Sequence, residues 1–132
     1  MENIDPELNF LVVDDSFEAR NVITAFLRLK GWHNFEVAEN GKQALKLLQR
    51  YDRQSKKFDV LIVDWNMPGM SGLDLFKEIR EMENYSKTPF IMITADEDMD
   101  HVLEASHLGI TGYIIKPITA ENLFHKIWEI LP

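Results

Sequence analysis

An α/β fold is predicted for this chain: five mostly parallel strands in one sheet, with five helices covering both faces. Five short apolar runs, at 10–13, 35–38, 58–63, 90–93 and 113–115, recur along the sequence. Runs this short and this apolar read as buried parallel strands. Segments of helical periodicity lie between them, so strand and helix alternate five times. The short connections imply right-handed crossovers and a sheet covered by helices on each side.

In chain order, the first run is closed by Asp14-Asp15, and Ser16 is placed to cap the helix that follows. That helix carries Ala19, Val22, Ile23 and Phe26 at i, i+3, i+4, i+7 spacing, and Gly31 after Lys30 fits its C-terminal cap. The second run is weaker in hydrophobicity and leads to a second helix. The third ends at Asp64 and opens a loop punctuated by proline and glycine, Asp64-Trp65-Asn66-Met67-Pro68-Gly69-Met70-Ser71-Gly72. Ser71 caps a third helix striped by Leu73, Phe76 and Ile79. The fourth run ends in Thr94-Ala95-Asp96, and its helix stops at Gly109 after Leu108. The fifth ends in Lys116-Pro117, with Thr119 capping a helix striped by Leu123, Ile127 and Leu131. The second and fifth runs are the least hydrophobic and belong at the sheet edges. This matches the flavodoxin-like order 2-1-3-4-5, with its switch point between strands one and three.

At 132 residues the chain suits one domain, 1–132, large enough to bury roughly two-thirds of its unfolded surface. No internal repeat or low-complexity linker interrupts it. Its 14 Lys+Arg against 22 Asp+Glu give a net charge of -8, which repels phosphate backbones and anionic lipid. Direct nucleic-acid binding is therefore not expected. The basic run at 50–57 lies between a helical pattern and a strand and reads as a solvated connection. No segment is long and apolar enough to span a bilayer, and the N-terminus lacks the basic flank and apolar core of a secretory signal. The absence of cysteine excludes disulfides and thiolate chemistry and agrees with a reducing compartment. A cytoplasmic location is expected.

The chemistry gathers where strands end. In open parallel sheets, ligands bind in the crevice beyond the carboxyl ends, so Asp14, Asp15 and Asp64 are expected to share one site. An Asp pair after a strand can be no more than a helix cap. Asp64, held forward by its rigid loop, argues for more. Carboxylates about 4 Å apart repel by on the order of 4 kcal/mol at an effective dielectric of about 20, which asks for a cation. A hard, oxygen-seeking metal such as Mg²⁺ is the remedy, and Asn66 is placed to add a carbonyl oxygen. Thr94 offers a hydroxyl and Lys116 an ammonium at the same rim. Each alone could be a cap or a surface lysine, but a carboxylate, a divalent ion, a hydroxyl and an ammonium together equip a site for phosphoryl transfer. Asp64 would be the nucleophile.

These residues resemble those of the response-regulator receiver family, and within it the stand-alone chemotaxis regulators. The resemblance runs nearly end to end. It rests on the acidic pair after strand one, the Asp64–Gly72 stretch, Thr94-Ala95 and Lys116-Pro117. It implies that Asp64 accepts a phosphoryl group from a histidine kinase of the chemotaxis (CheA-like) type. Asp15, Asp64 and the Asn66 carbonyl would ligate Mg²⁺, with Asp14 acting mainly through water. Thr94 and Lys116 would hold phosphoryl oxygens, helped by the backbone N–H groups of Trp65 and Ala95, and the Lys116–Pro117 peptide would be cis. Thr94 and Tyr113 would switch, exporting the signal to a face that includes Val102, Tyr113, Ile115, Ile118 and Lys126. Asn66 and Asp96 would tune the lifetime of the phosphoryl group. A flagellar motor switch protein and a phosphatase are the implied partners of a monomeric, non-enzymatic switch.

Met99 and Glu129 stand where enteric chemotaxis regulators carry lysines, while Lys126 is retained, so an acidic motor peptide should gain less from charge. A receiver belonging to a longer regulator or hybrid kinase is the nearest alternative. A small aspartate-based phosphatase is the alternative of another class, although Asn66 occupies the place where its second acid would stand. The four histidines lack metal-ligand spacing, and Trp32, Trp65 and Trp128 are expected to pack.

Overall fold

The computed structural model describes residues 5–95, 99–110 and 112–132. Five strands, β1 (Asn9–Val13), β2 (Asn34–Ala38), β3 (Val60–Asp64), β4 (Phe90–Thr94) and β5 (Gly112–Ile115), form one parallel sheet in the order β2-β1-β3-β4-β5. The helices are α1 (Phe17–Leu29), α2 (Gly41–Arg53), α3 (Gly72–Arg80), α4 (Met99–His107) and α5 (Ala120–Ile130). Both edge assignments agree with the hydrophobicity argument. No described helix is long and apolar enough to cross a membrane.

Alternate residues of each strand face opposite sides of the sheet, and this divides the core in two. Phe10, Val12, Val60, Ile62, Ile91 and Ile114 pack with Ile23 and Leu27 of α1 and Leu123 and Ile127 of α5. Leu11, Val13, Leu61, Val63 and Met92 pack with Ala44 and Leu48 of α2, Leu73 and Phe76 of α3, and Ala105 of α4. Because β1 and β3 are neighbours with β1 paired to β2 on its other side, their carboxyl ends open at the switch point together.

The expected caps are present. Ser16, Ser71 and Thr119 accept hydrogen bonds from Ala19, Asp74 and Asn122 backbone N–H groups, and Ser71 and Thr119 form reciprocal capping boxes. Gly31 and Gly109 adopt φ of +94° and +93°, the left-handed geometry of helix C-termini.

Three local readings are corrected. The third strand begins at Val60, not at residue 58, because the Phe58 N–H turns to the Tyr85 hydroxyl and its ring stacks on Tyr51 at 4.0 Å. In α1 the buried face is Ile23, Thr24 and Leu27, and Val22 is exposed. Thr24 can turn inward because its hydroxyl donates to the Asn21 carbonyl, which rotates the buried stripe by about one position. Trp128 is half exposed rather than packed, whereas Trp32 and Trp65 are buried.

Candidate functional site

The site is assembled from the ends of four strands. Leaving β1, the Asp14 N–H donates to the Ala38 carbonyl (3.1 Å), and its carboxylate accepts the Ser16 N–H (2.9 Å). This closes a turn that starts α1 at once. Asp64, the last residue of β3, is 3% exposed, and the Trp65 N–H continues the ladder to the Ile93 carbonyl at 2.7 Å. The loop then folds back: the Gly72 N–H reaches the Trp65 carbonyl at 2.8 Å, and a Cβ on Gly72 would lie 2.4 Å from the Asp64 carbonyl oxygen. Only glycine allows the start of α3 to press this closely on the strand end. From β5, the Lys116 N–H donates to the Thr94 carbonyl at 2.7 Å, and its ammonium lies 3.2 Å from Asp64 Oδ1. The Lys116–Pro117 peptide is cis. Thr94, which ends β4, is fully buried at the same rim.

Each of Asp14, Asp15 and Asp64 offers a carboxylate oxygen, and these oxygens lie within 4.8 Å of one another. Burial pushes the Asp64 carboxyl above its ordinary range, and the neighbouring Asp14 pushes it further, against the pull of Lys116. Burial also raises Asp14, against the Ser16 N–H and Lys116, which favour its charged form. Asp15 is exposed and completes the trio from the solvent side. Three carboxylates thus converge with one ammonium among them. Such an all-oxygen anionic set fits a hard divalent cation, and Mg²⁺ in particular, which keeps several waters and needs few protein ligands.

Asn66 is exposed one residue beyond Trp65, and Ala95 is exposed beyond Thr94. The Trp65 N–H already donates to Ile93, so a phosphoryl oxygen would have to share it. Asp96 lies outside the described residues, as does the side chain of Met99. Tyr113 meets Trp65 edge-on at 6.3 Å. Val102 is half-buried, and Ile115 is exposed on β5. Ile118 packs against the α1/α5 core. Lys126 pairs with Glu129 at 3.1 Å, so the retained lysine is locally neutralised.

Two side chains of this region escaped sequence reasoning. His101 of α4 stacks on Trp65 with ring centres 5.2 Å apart. Its spacing from His107 carried no hint of this contact, because it crosses from α4 to the residue that follows β3. Arg20 of α1 reaches back to the Asp14 carbonyl, its Nη1 donating at 2.7 Å. The only sequence cue was its position one helical turn beyond the Ser16 cap.

The family profile described as "Response regulator receiver domain" matches residues 10–128. Chemotaxis protein CheY-3 of Vibrio cholerae is 39% identical over 127 residues, covering 96% of this chain and 94% of that protein. Chemotaxis protein CheY of Pseudomonas aeruginosa is 40% identical over 123 residues, covering 93% and 95%. Among solved structures, Vibrio cholerae chemotaxis protein CheY4 superposes with a TM-score of 0.83 at 32% identity, covering 95% of this chain and 99% of that one.

Proposed function

Because the chain belongs to the response-regulator receiver family, we propose that it is a Mg²⁺-dependent phosphorylation switch whose acceptor is Asp64. The observation that carries this reading is the buried Asp64 carboxylate with the Lys116 ammonium at 3.2 Å and two further carboxylates within 4.8 Å. The donor is the phosphohistidine of a histidine kinase. Its P–N bond breaks as a bond forms from an Asp64 oxygen to phosphorus, and the imidazole leaves with the electron pair.

Asp15, Asp64 and the Asn66 main-chain carbonyl would hold Mg²⁺ directly, and Asp14 through water. When bound, the ion neutralises charge on the phosphoryl oxygens. Lys116, 3.2 Å from Asp64, would supply a second positive charge, and the Thr94 hydroxyl and the Trp65 and Ala95 N–H groups would supply directed donors. Asn66 and Asp96 tune hydrolysis of the acyl phosphate by orienting water. Phosphorylation adds strong acceptor oxygens beside Thr94; the hydroxyl moves toward them, and Tyr113 rotates into the space released.

The output face is then α4, β5 and α5, with Val102, Ile115 and Lys126. Similarity over nearly the whole length to chemotaxis proteins supports a single receiver, 1–132, that diffuses in the cytoplasm between a kinase and the flagellar motor switch, with a phosphatase ending the signal.

Incubation with acetyl phosphate, with and without Mg²⁺, tests the reading through acid-labile phosphate and Trp65 fluorescence. Label should appear only with Mg²⁺ and vanish in Asp64→Asn. Uptake by Asp64→Asn at the wild-type rate would sink the acceptor assignment, and steady turnover of an unrelated phosphate ester would favour a phosphatase instead.

A further inference from the structure

Asp15 is the exposed acid of the trio, and among the described residues its carboxylate accepts no hydrogen bond. Its direction is therefore set by the backbone on either side of it. Both flanking carbonyls are held by one residue. The Arg20 guanidinium donates from Nη1 to the Asp14 carbonyl at 2.7 Å, and the Arg20 backbone N–H donates to the Ser16 carbonyl at 3.0 Å. The second bond is the first-turn helix bond that any residue at position 20 would make; the first is specific to the arginine side chain and fixes the carbonyl that precedes Asp15. That side chain is steadied in turn by the Phe17 ring, 5.8 Å from the guanidinium carbon.

Electrostatics alone argues against a guanidinium here, because its positive charge repels any cation bound beside it. A positive group retained beside a cation site calls for another role. We propose that Arg20 is a positioning residue: by clamping the peptide between Asp14 and Asp15, it holds the Asp15 carboxylate where Mg²⁺ requires a ligand. The inference rests on the metal site of the proposed function and assigns to it a residue that touches no ligand atom.

The two roles predict opposite signs. If Arg20 acted only through charge, Arg20→Met, which keeps the apolar stem, would bind Mg²⁺ more tightly. As a clamp, its loss weakens Mg²⁺ binding roughly tenfold, the usual scale for residues that orient metal ligands. Magnesium demands near-octahedral geometry and calcium does not, so the clamp also predicts a fall in the Mg²⁺:Ca²⁺ affinity ratio. A change in charge or in overall stability would move both ions alike.

Titrations of MgCl₂ and CaCl₂, followed by Trp65 fluorescence, measure both quantities on wild type, Arg20→Met and Arg20→Lys, with Arg20→Lys expected in between. If Arg20→Met does not fold, Arg20→Gln, neutral and too short for the same span, is held to the same criterion. A neutral variant with unchanged or tighter Mg²⁺ affinity, or an unchanged ion ratio, overturns the assignment of Arg20 while the metal site stands. A wild type silent to both ions overturns the site and the clamp together.

Discussion

The Asp64 carboxylate, the proposed acceptor, is also a source of instability in its own fold. With Asp14 it is buried and pushed above the ordinary aspartate range. Both groups hold their protons to higher pH in the folded than in the unfolded chain. Their contribution to stability is therefore fully present below the ordinary value near 4, and is lost as pH rises through the raised folded values. Metal-free protein should thus melt at lower temperature at pH 8 than at pH 5. Magnesium held by the ionised trio, as proposed, would stabilise the protein more at pH 8; thermal unfolding in EDTA and in MgCl₂ at both values measures this, and an equal effect at each would contradict it. For the same reason Asp64→Asn, which removes a buried charge, should stabilise the metal-free protein by about 1 kcal/mol in denaturant titrations while abolishing the response to Mg²⁺. The acids were legible in the sequence because each ends an apolar run. His101 and Arg20 were not, because their contacts depend on how helices meet the strand ends, and spacing along one helix does not record that.

At the scale of elements, the loop from Asp64 to α3 is under the tightest steric control. Gly72→Ala would force a Cβ within 2.4 Å of the Asp64 carbonyl and 2.9 Å of the Trp65 Cα, both backbone atoms with little freedom to yield. A loss of roughly 2 kcal/mol is expected, together with slower phosphorylation from acetyl phosphate, because the acceptor is displaced. Ser71→Ala removes the adjacent cap without crowding, so it should cost about 1 kcal/mol and leave the phosphorylation rate near wild type. Equal rates in the two variants would show that the close approach of Gly72 does not position Asp64. Caps were readable because Ser, Thr and Gly carry their conformational preferences with them. The buried stripe of α1 was displaced by one position because Thr24 bonds its own helix and so enters the core, where a hydropathy pattern does not place it.

Across the whole molecule, alternation of strand and helix with weak edge runs was enough to give the topology, since few chain paths satisfy parallel pairing and right-handed crossovers. The output side was harder to read, because exposure there is set by packing between α4, β5 and α5. Leu103, Ile115 and Trp128 are all exposed on those elements, and Lys126 is paired with Glu129. Binding to the proposed motor-switch partner should therefore depend on apolar contact: Trp128→Ala should weaken it while changing stability by less than about 0.5 kcal/mol. Raising salt from 50 to 300 mM should change the affinity by less than about threefold; a steep salt dependence in calorimetric titrations would contradict this.

The four strand ends that form the site are spread from β1 near the beginning of the chain to β5 near its end. During synthesis, a nascent chain that has already emerged past Asp64 still lacks the Lys116 ammonium, and β5 joins the sheet only after nearly every other element has left the ribosome. An unfinished or wrongly paired molecule therefore has an acceptor without its counter-charge. The geometry proposed to receive the signal would thus restrict it to molecules whose folding is complete.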